Sequence, residues 1–336
     1  MPDILLLICK IYTATLCCTD QQDAHSTKDG VSSLMSESVG PRPLIVGEVL
    51  FDYFPSGERV LGGAPFNVAW HLHGFGLFPY FLSRIGTDPS ADEIRLRMND
   101  WGMDAGGLES DPKHPTGQVQ IEFDPDGTHR FHIVPDQAYD YIDGQTHFNS
   151  AKKKPWGLLY VGTLAQRSPH SAQSIHDLFS LNVPRFVDVN LRAPWWDQAT
   201  VDRTLNGAKW VKLNDEELLT LTWPNKEKNK QLAELLVDFS NHYALPTVVL
   251  TCGEKGAYSC TNGEIGFYPT PQTSNLIDTV GAGDAFSSVL ISGLLLNWPI
   301  ETSMQRALRF AADICQIQGA TTNNREFYNK HLESWT

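Results

Sequence analysis

Positive charge is scarce in this 336-residue chain: 26 Lys and Arg stand against 39 Asp and Glu, a formal net charge of −13. Nucleic acids and anionic membrane surfaces are bound through a basic footprint, so neither is expected as a partner. A local phosphate site remains compatible with this balance. Apolar runs are short as well, and none approaches the roughly 20 residues that cross a bilayer. The six cysteines (Cys9, Cys17, Cys18, Cys252, Cys260 and Cys315) form no CxxC pair and no zinc spacing. They read as reduced thiols of a cytoplasmic protein. G-x-x-x-x-G-K-[ST] is missing, which excludes a P-loop enzyme. No G-x-G-x-x-G follows the first strand, which argues against dinucleotide binding. No internal repeat is present.

Residues 1 to 42 differ from the rest. Ile4-Leu5-Leu6-Leu7-Ile8 is short, Asp3 stands where a secretory signal carries Lys or Arg, and no small-residue cleavage site follows. Residues 19 to 42 are rich in Ser, Asp and Gly and are expected to be a disordered tail. The folded domain is expected over 43–336.

Within that domain apolar strand patterns alternate with helical ones, and 41% of the chain is hydrophobic. This predicts an α/β fold with a mostly parallel central sheet and helices on both faces. Leu44 to Asp52 reads as one buried first strand with an acid at its carboxyl end, where open α/β sheets collect ligands. Asp52 can accept two sugar hydroxyls there, or can simply initiate the turn before Pro55. Thr116–Phe123 and Arg130–Ile133 alternate about an Asp124-Pro125-Asp126-Gly127 turn, a hairpin signal. Lys152-Lys153-Lys154 reads as a solvated run.

The most informative stretch is Asp278-Thr279-Val280-Gly281-Ala282-Gly283-Asp284-Ala285-Phe286, which continues into a helix with one apolar face. A glycine turn opens directly into a helix start, where unpaired N–H groups and the helix dipole favour an anion. Asp284 on the same turn is either a dipole partner or a base beside a hole for negative charge. The second arrangement suits phosphoryl transfer to a hydroxyl. Upstream, Gly62-Gly63-Ala64-Pro65-Phe66-Asn67 lets backbone approach a ligand closely. Asn67 offers a donor and an acceptor, or a helix cap. Asp188, Asn190 and Arg192 alternate at a strand end and are expected to share a face. Arg192 there can touch substrate or phosphate, or make a structural salt bridge. Asn214 and Glu217, three apart at a helix start, suit Mg²⁺ beside nucleotide phosphates or form an ordinary capping box.

Together, Gly62–Asn67 and Asp278–Asp284 resemble the two signatures of the ribokinase-like (PfkB) carbohydrate kinases, with the wording around them most similar to the bacterial fructokinase-like branch. The resemblance covers roughly residues 44 to 330. It implies a ribokinase-like fold carrying a small β-lid, with strands near 51–62 and 113–142, that covers the sugar and often forms a homodimer. It implies transfer of the ATP γ-phosphoryl group to a primary sugar hydroxyl, fructose giving fructose 6-phosphate. Asp284 would be the base and Gly281, Ala282 and Gly283 the anion cradle. Asp52, Gly63, Asn67 and Arg192 would bind the sugar. Asn214, Thr251, Gly253 and Gly256 would line the nucleotide. Asn214 and Glu217 would organise Mg²⁺, mostly through water, and Asp278 would help hold a monovalent cation such as K⁺. Kinases acting on 2-keto-3-deoxygluconate, ribose or a nucleoside stay open as alternatives. So does a non-catalytic regulatory protein on the same fold.

Overall fold

The computed structural model describes residues 42–123, 129–144, 155–222, 231–273 and 275–335, without the side chains of Phe123 and His129. The tail as far as Pro41, Cys9, Cys17, Cys18, the Asp124–Gly127 turn and Lys152–Lys154 lie outside the described residues.

Among the described residues nine strands form the main sheet: β1 (Arg42–Val46), β4 (Tyr80–Ile85), β5 (Leu108–Ser110), β8 (Trp156–Val161), β9 (Arg185–Asp188), β10 (Trp210–Asn214), β11 (Thr247–Thr251), β12 (Ala257–Thr261) and β13 (Glu264–Tyr268), in the order β13-β12-β11-β10-β9-β8-β1-β4-β5. The seven strands from β11 to β5 run parallel, and β12 and β13 add an antiparallel edge. A second sheet stands apart, ordered β3-β2-β6-β7, with β2 (Leu50–Tyr53), β3 (Arg59–Gly62), β6 (Gly117–Phe123) and β7 (His129–Ile133).

Parallel strands are covered on both faces, so their side chains must be apolar on alternate sides. Ile45, Leu158, Tyr160 and Phe186 enter one core with Phe66, Leu72, Val289 and Phe310. Their neighbours Leu44, Val46, Leu159, Val161 and Val187 enter the other with Ile175, Leu205 and Leu236. The first core is roofed by α1 (Ala64–Gly74), α2 (Pro89–Trp101), α7 (Ala282–Leu295), α8 (Ile300–Ile314) and α9 (Arg325–Trp335). The second is roofed by α3 (Pro169–Leu178), α4 (Gln198–Leu205) and α6 (Leu232–His242), and takes in Leu218 of α5 (Asp215–Thr222). Each fully buried aliphatic contributes about 1.5–3 kcal/mol, so the two layers together dominate the drive to fold.

The expectation of one strand from Leu44 to Asp52 is corrected. The chain leaves the main sheet after Val46 and joins the second sheet at Leu50. Between them Gly47 runs against Pro65, where a Cβ would lie 2.4 Å from Cγ. Asp52 therefore sits on the second sheet, paired with Val60 and Val119. The alternation expected at Asp188, Asn190 and Arg192 also fails. β9 ends at Asp188, and Asn190 has φ 43°. The backbone turns left-handed there, so strand periodicity does not carry Arg192 onto the face of Asp188. No helix among the described residues is long and apolar enough to cross a membrane.

Candidate active site

Helix α7 begins where the sequence places its glycine turn. Gly281 is the residue before the helix, with φ 77°, and a Cβ on it would lie 2.3 Å from the Ala320 Cβ. Both the conformation and the space call for glycine. The turn is tied from below by Asp278, whose Oδ1 accepts the Val280 N–H and Oδ2 the Gly319 N–H, each at 3.0 Å. No side chain caps α7. The Ala282 N–H reaches Thr279 O at 3.3 Å, while those of Gly283 and Asp284 meet no acceptor among the described residues. Two donors are thus left open at a positive helix end.

A buried ammonium lies beside them. A Cβ on Gly283 would be 3.0 Å from Lys212 Nζ. Lys212 sits on β10 and donates to both oxygens of Asp188, at 3.1 and 3.2 Å, and Ser287 of α7 donates to Asp188 Oδ2 at 2.8 Å. Burial opposes the lysine charge, but Asp188, Glu217 and Asp284 outweigh it and its pKa is raised.

Asp284 itself turns toward the first glycine signature. Asn67 Nδ2 donates to its Oδ2 at 2.8 Å, joining residues 217 apart in sequence. Gly63 makes this approach possible. With φ 108° it precedes α1, and a Cβ on it would lie 2.7 Å from Glu48 O. Burial pushes the Asp284 pKa up to about 6; the Asn67 hydrogen bond opposes this, Asp188 adds to it, and Lys212 and Arg192 oppose it. The carboxyl therefore has enough affinity to take a proton and is still mostly ionised at neutral pH.

Asp52, half-buried on the second sheet, is likewise pushed up to about 6 by burial, with Arg192 pulling the other way. Arg192 is exposed, and its hydrogen bond is to Leu191 O at 3.3 Å. Its charge acts on Glu48, Asp52 and Asp284 together. Asn67 and Asp284 are thus joined directly, and the Arg192 charge is felt at both Asp52 and Asp284.

The expected nucleotide residues gather at the carboxyl ends of β10 and β11, where Asn214 and Thr251 are cross-strand partners. Gly253 and Gly256, with φ 56° and 126°, shape the following turn, and a Cβ on Gly256 would lie 2.2 Å from Tyr268 O. Of the two readings of Asn214 and Glu217, the capping box is realised. The Asn214 N–H donates to Glu217 Oε2 and the Glu217 N–H to Asn214 Oδ1, both at 2.8 Å. The other oxygen, Glu217 Oε1, accepts the Leu191 N–H at 2.8 Å. Both carboxyl oxygens are already engaged, and the described residues hold no group of three or more His, Cys, Asp or Glu that could bind a metal.

Sequence reasoning passed over Lys212 and Glu48. A lone lysine in a strand carries no signal of its ionic partner, but an ammonium between Val211 and Leu213 in a buried strand was the available clue. Glu48 lies within the stretch Leu44 to Asp52, where it was given no role.

The sequence profile of the pfkB family carbohydrate kinases matches residues 46–326. A fructokinase of Escherichia coli is 26% identical over 289 residues, covering 82% of this chain and 91% of that protein. Among solved structures, a fructokinase with bound ATP from Xylella fastidiosa superposes with TM-score 0.76 at 18% identity, covering 87% of this chain and 98% of that one. A nucleoside kinase of Burkholderia thailandensis in complex with inosine gives TM-score 0.70 at 22% identity, covering 87% and 96%.

Proposed function

The chain belongs to the pfkB family of carbohydrate kinases, and from that premise we propose that it transfers the γ-phosphoryl group of ATP to a primary hydroxyl of an uncharged monosaccharide, with fructose the foremost candidate. The observation that carries this reading is the Asn67–Asp284 hydrogen bond, which brings the two signature segments into one site.

In this reading Asp52 and Asn67 hold the sugar hydroxyls, with the Gly63 backbone alongside. Asp284 accepts the proton of the attacking hydroxyl on a carboxylate oxygen. The open N–H groups of Gly283 and Asp284, with Ala282 beside them, meet the charge on the moving phosphoryl group. Lys212 supports the same cradle from below. Thr251, Gly253 and Gly256 line the nucleotide. Asp278 fixes the cradle to the segment after α8, and the two N–H bonds it accepts fit a tie at least as well as a K⁺ ligand.

Mg²⁺ is the expected companion of ATP and would neutralise phosphate charge. Direct ligation by Glu217 does not fit, because both its oxygens serve backbone donors. The remaining lone pairs of Glu217 suit a contact through water, and no step is assigned to the ion. A lid-to-lid homodimer is a further proposal, supported by Phe131, which is 57% exposed on β7.

Acceptor identity is the open choice. Asp52 and Asp284, the carboxyls assigned to the sugar and to the proton, favour a neutral sugar. Arg192, exposed and bonded to no carboxylate among the described residues, favours a sugar acid as the second reading. ADP release measured with fructose, ribose, inosine and 2-keto-3-deoxygluconate separates them. Fructose is expected to give the highest kcat/KM, and release with none of the four would leave the fold in a non-catalytic role.

A further inference from the structure

Helix α1 grips the start of α7 at two points. Asn67 donates to Asp284 at 2.8 Å. His71, four residues on and so on the same face of α1, holds the segment against which Gly281 is seated. Its Nε2 lies 3.0 Å from Ala320 O. A Cβ on Gly281 would lie 2.3 Å from the Ala320 Cβ and 2.6 Å from the Ala320 Cα. Trp70, beside His71, donates from Nε1 to Thr322 O at 2.8 Å. The base and the anion cradle thus rest against one helix.

His71 is fully buried. A carbonyl oxygen only accepts, so the ring proton sits on Nε2 and is donated to Ala320 O. The bare Nδ1 then accepts from the Tyr328 hydroxyl of α9 at 2.9 Å, the shorter of that hydroxyl's contacts; the other is Thr322 O at 3.2 Å. The Phe310 ring of α8 stands perpendicular to the imidazole, with centroids 5.2 Å apart. Burial pushes His71 down to about 3, with the Ala320 bond opposing. The imidazole therefore stays neutral at neutral pH and keeps one tautomer, so it acts by holding position and not by charge.

Resting on the phosphoryl-transfer reading above, we propose that His71 is a positioning residue for the anion cradle. By holding the Ala320 carbonyl it fixes the seat of Gly281. With Asn67 one turn earlier, it makes α1 a strut that sets the carboxyl of Asp284 and the open N–H groups of Gly283 and Asp284 at one separation. Those N–H groups meet the phosphoryl charge most strongly as the group moves. A displaced cradle therefore weakens the transition state more than it weakens the bound substrates.

The test uses the full chain and separates kcat from affinity. His71→Phe keeps a ring in the core and removes both hydrogen bonds. kcat should fall by about tenfold, less than the roughly 10²-fold loss when a cradle donor is removed outright. The acceptor KM, and ATP affinity by calorimetry, should change by less than about threefold. His71→Gln offers a donor and an acceptor on a chain of similar reach and should recover most of kcat. If His71 serves stability alone, the Phe variant melts earlier and keeps wild-type kcat well below its midpoint, which overturns the proposal. Equal kcat in folded Phe and Gln variants overturns it too, because the bond would not then set the rate. Should His71→Phe fail to fold, Tyr328→Phe removes only the hydroxyl on Nδ1. Its backbone amide spectrum, taken without substrate, should show Gly281, Gly283 and Asp284 shifted from wild type, and unmoved resonances overturn the proposal. This second readout needs no turnover: shifted amides in a protein that phosphorylates nothing would strike the kinase reading and leave the strut standing.

Discussion

Helices α5 and α7 each carry an acid in the first turn, and they use it in opposite ways. At α5, Asn214 and Glu217 exchange hydrogen bonds with each other's backbone N–H, and the helix start is closed. At α7, Gly281 has no side chain to cap with, and Asp284 turns away to Asn67. The N–H groups of Gly283 and Asp284 stay open. A helix left uncapped forgoes about 1 kcal/mol, and here it does so beside a buried ammonium and a carboxyl of raised proton affinity. The contrast separates a helix start that serves stability from one that stays available to an anion.

The sharpest way to break the contrast is at Asp284. Asp284→Asn preserves the shape and the Asn67 contact but cannot take a proton. The expected loss in kcat is about 10² to 10⁴, with ATP affinity by calorimetry kept. Turnover near wild type would return Asp284 to the same structural class as Glu217. Next in size is Gly281→Ala. The left-handed conformation and the approach to Ala320 together should cost about 3 kcal/mol in chemical denaturation. The open donors would also be displaced, so kcat should fall with stability. A variant as stable as wild type would mean that the turn tolerates a side chain and is not built for close approach.

Much of this contrast could be read in the sequence, because it depends on local rules. Glycines before an apolar helical repeat mark the open start of α7, and Asn-x-x-Glu marks a box at α5. The alternation of strands and helices carried the layered fold. What could not be read is non-local. Gly47 stands where the chain passes from one sheet to the other, and a side chain there would meet Pro65, eighteen positions away in sequence. Asn190 leaves the strand with φ 43°, in a conformation that a run of alternating residues does not reveal. Lys212 and Arg167 take their meaning from Asp188 and Asp140, partners set only by the finished fold.

A smaller effect tests the electrostatic half of the comparison. The Asn67 hydrogen bond lowers the Asp284 pKa against burial. Asn67→Ala should therefore raise it, moving the acid limb of kcat/KM from about 6 upward by about one unit. Stability gives an independent check. Asp284 and Glu48 are raised from 3.8 to about 6 and from 4.5 to about 7. The folded state then holds more protons than the unfolded chain between those values, so their contribution to stability falls as pH rises through that window. Above about pH 8 it is flat. A melting temperature that rises from pH 5 to 7 in wild type, and equally in Asp284→Asn, would show that these carboxyls do not dominate the linkage.

The smallest expected effect concerns the closed helix start. Glu217→Gln keeps the length of the side chain and can accept through only one oxygen, so either the Asn214 or the Leu191 N–H loses its partner. The denaturation midpoint should fall by an amount worth about 1 kcal/mol at unchanged slope. Because Glu217 faces the phosphate region only through water in the proposed reading, kcat should stay within about threefold, and the Mg²⁺ concentration for half-maximal rate should rise by less than about tenfold. A loss in kcat as large as that of Asp284→Asn would place the start of α5 inside the reacting machinery. The distinction between a capped helix that holds the scaffold and an open one that meets the phosphoryl group would then no longer hold, because both ends would be acting on the same charge.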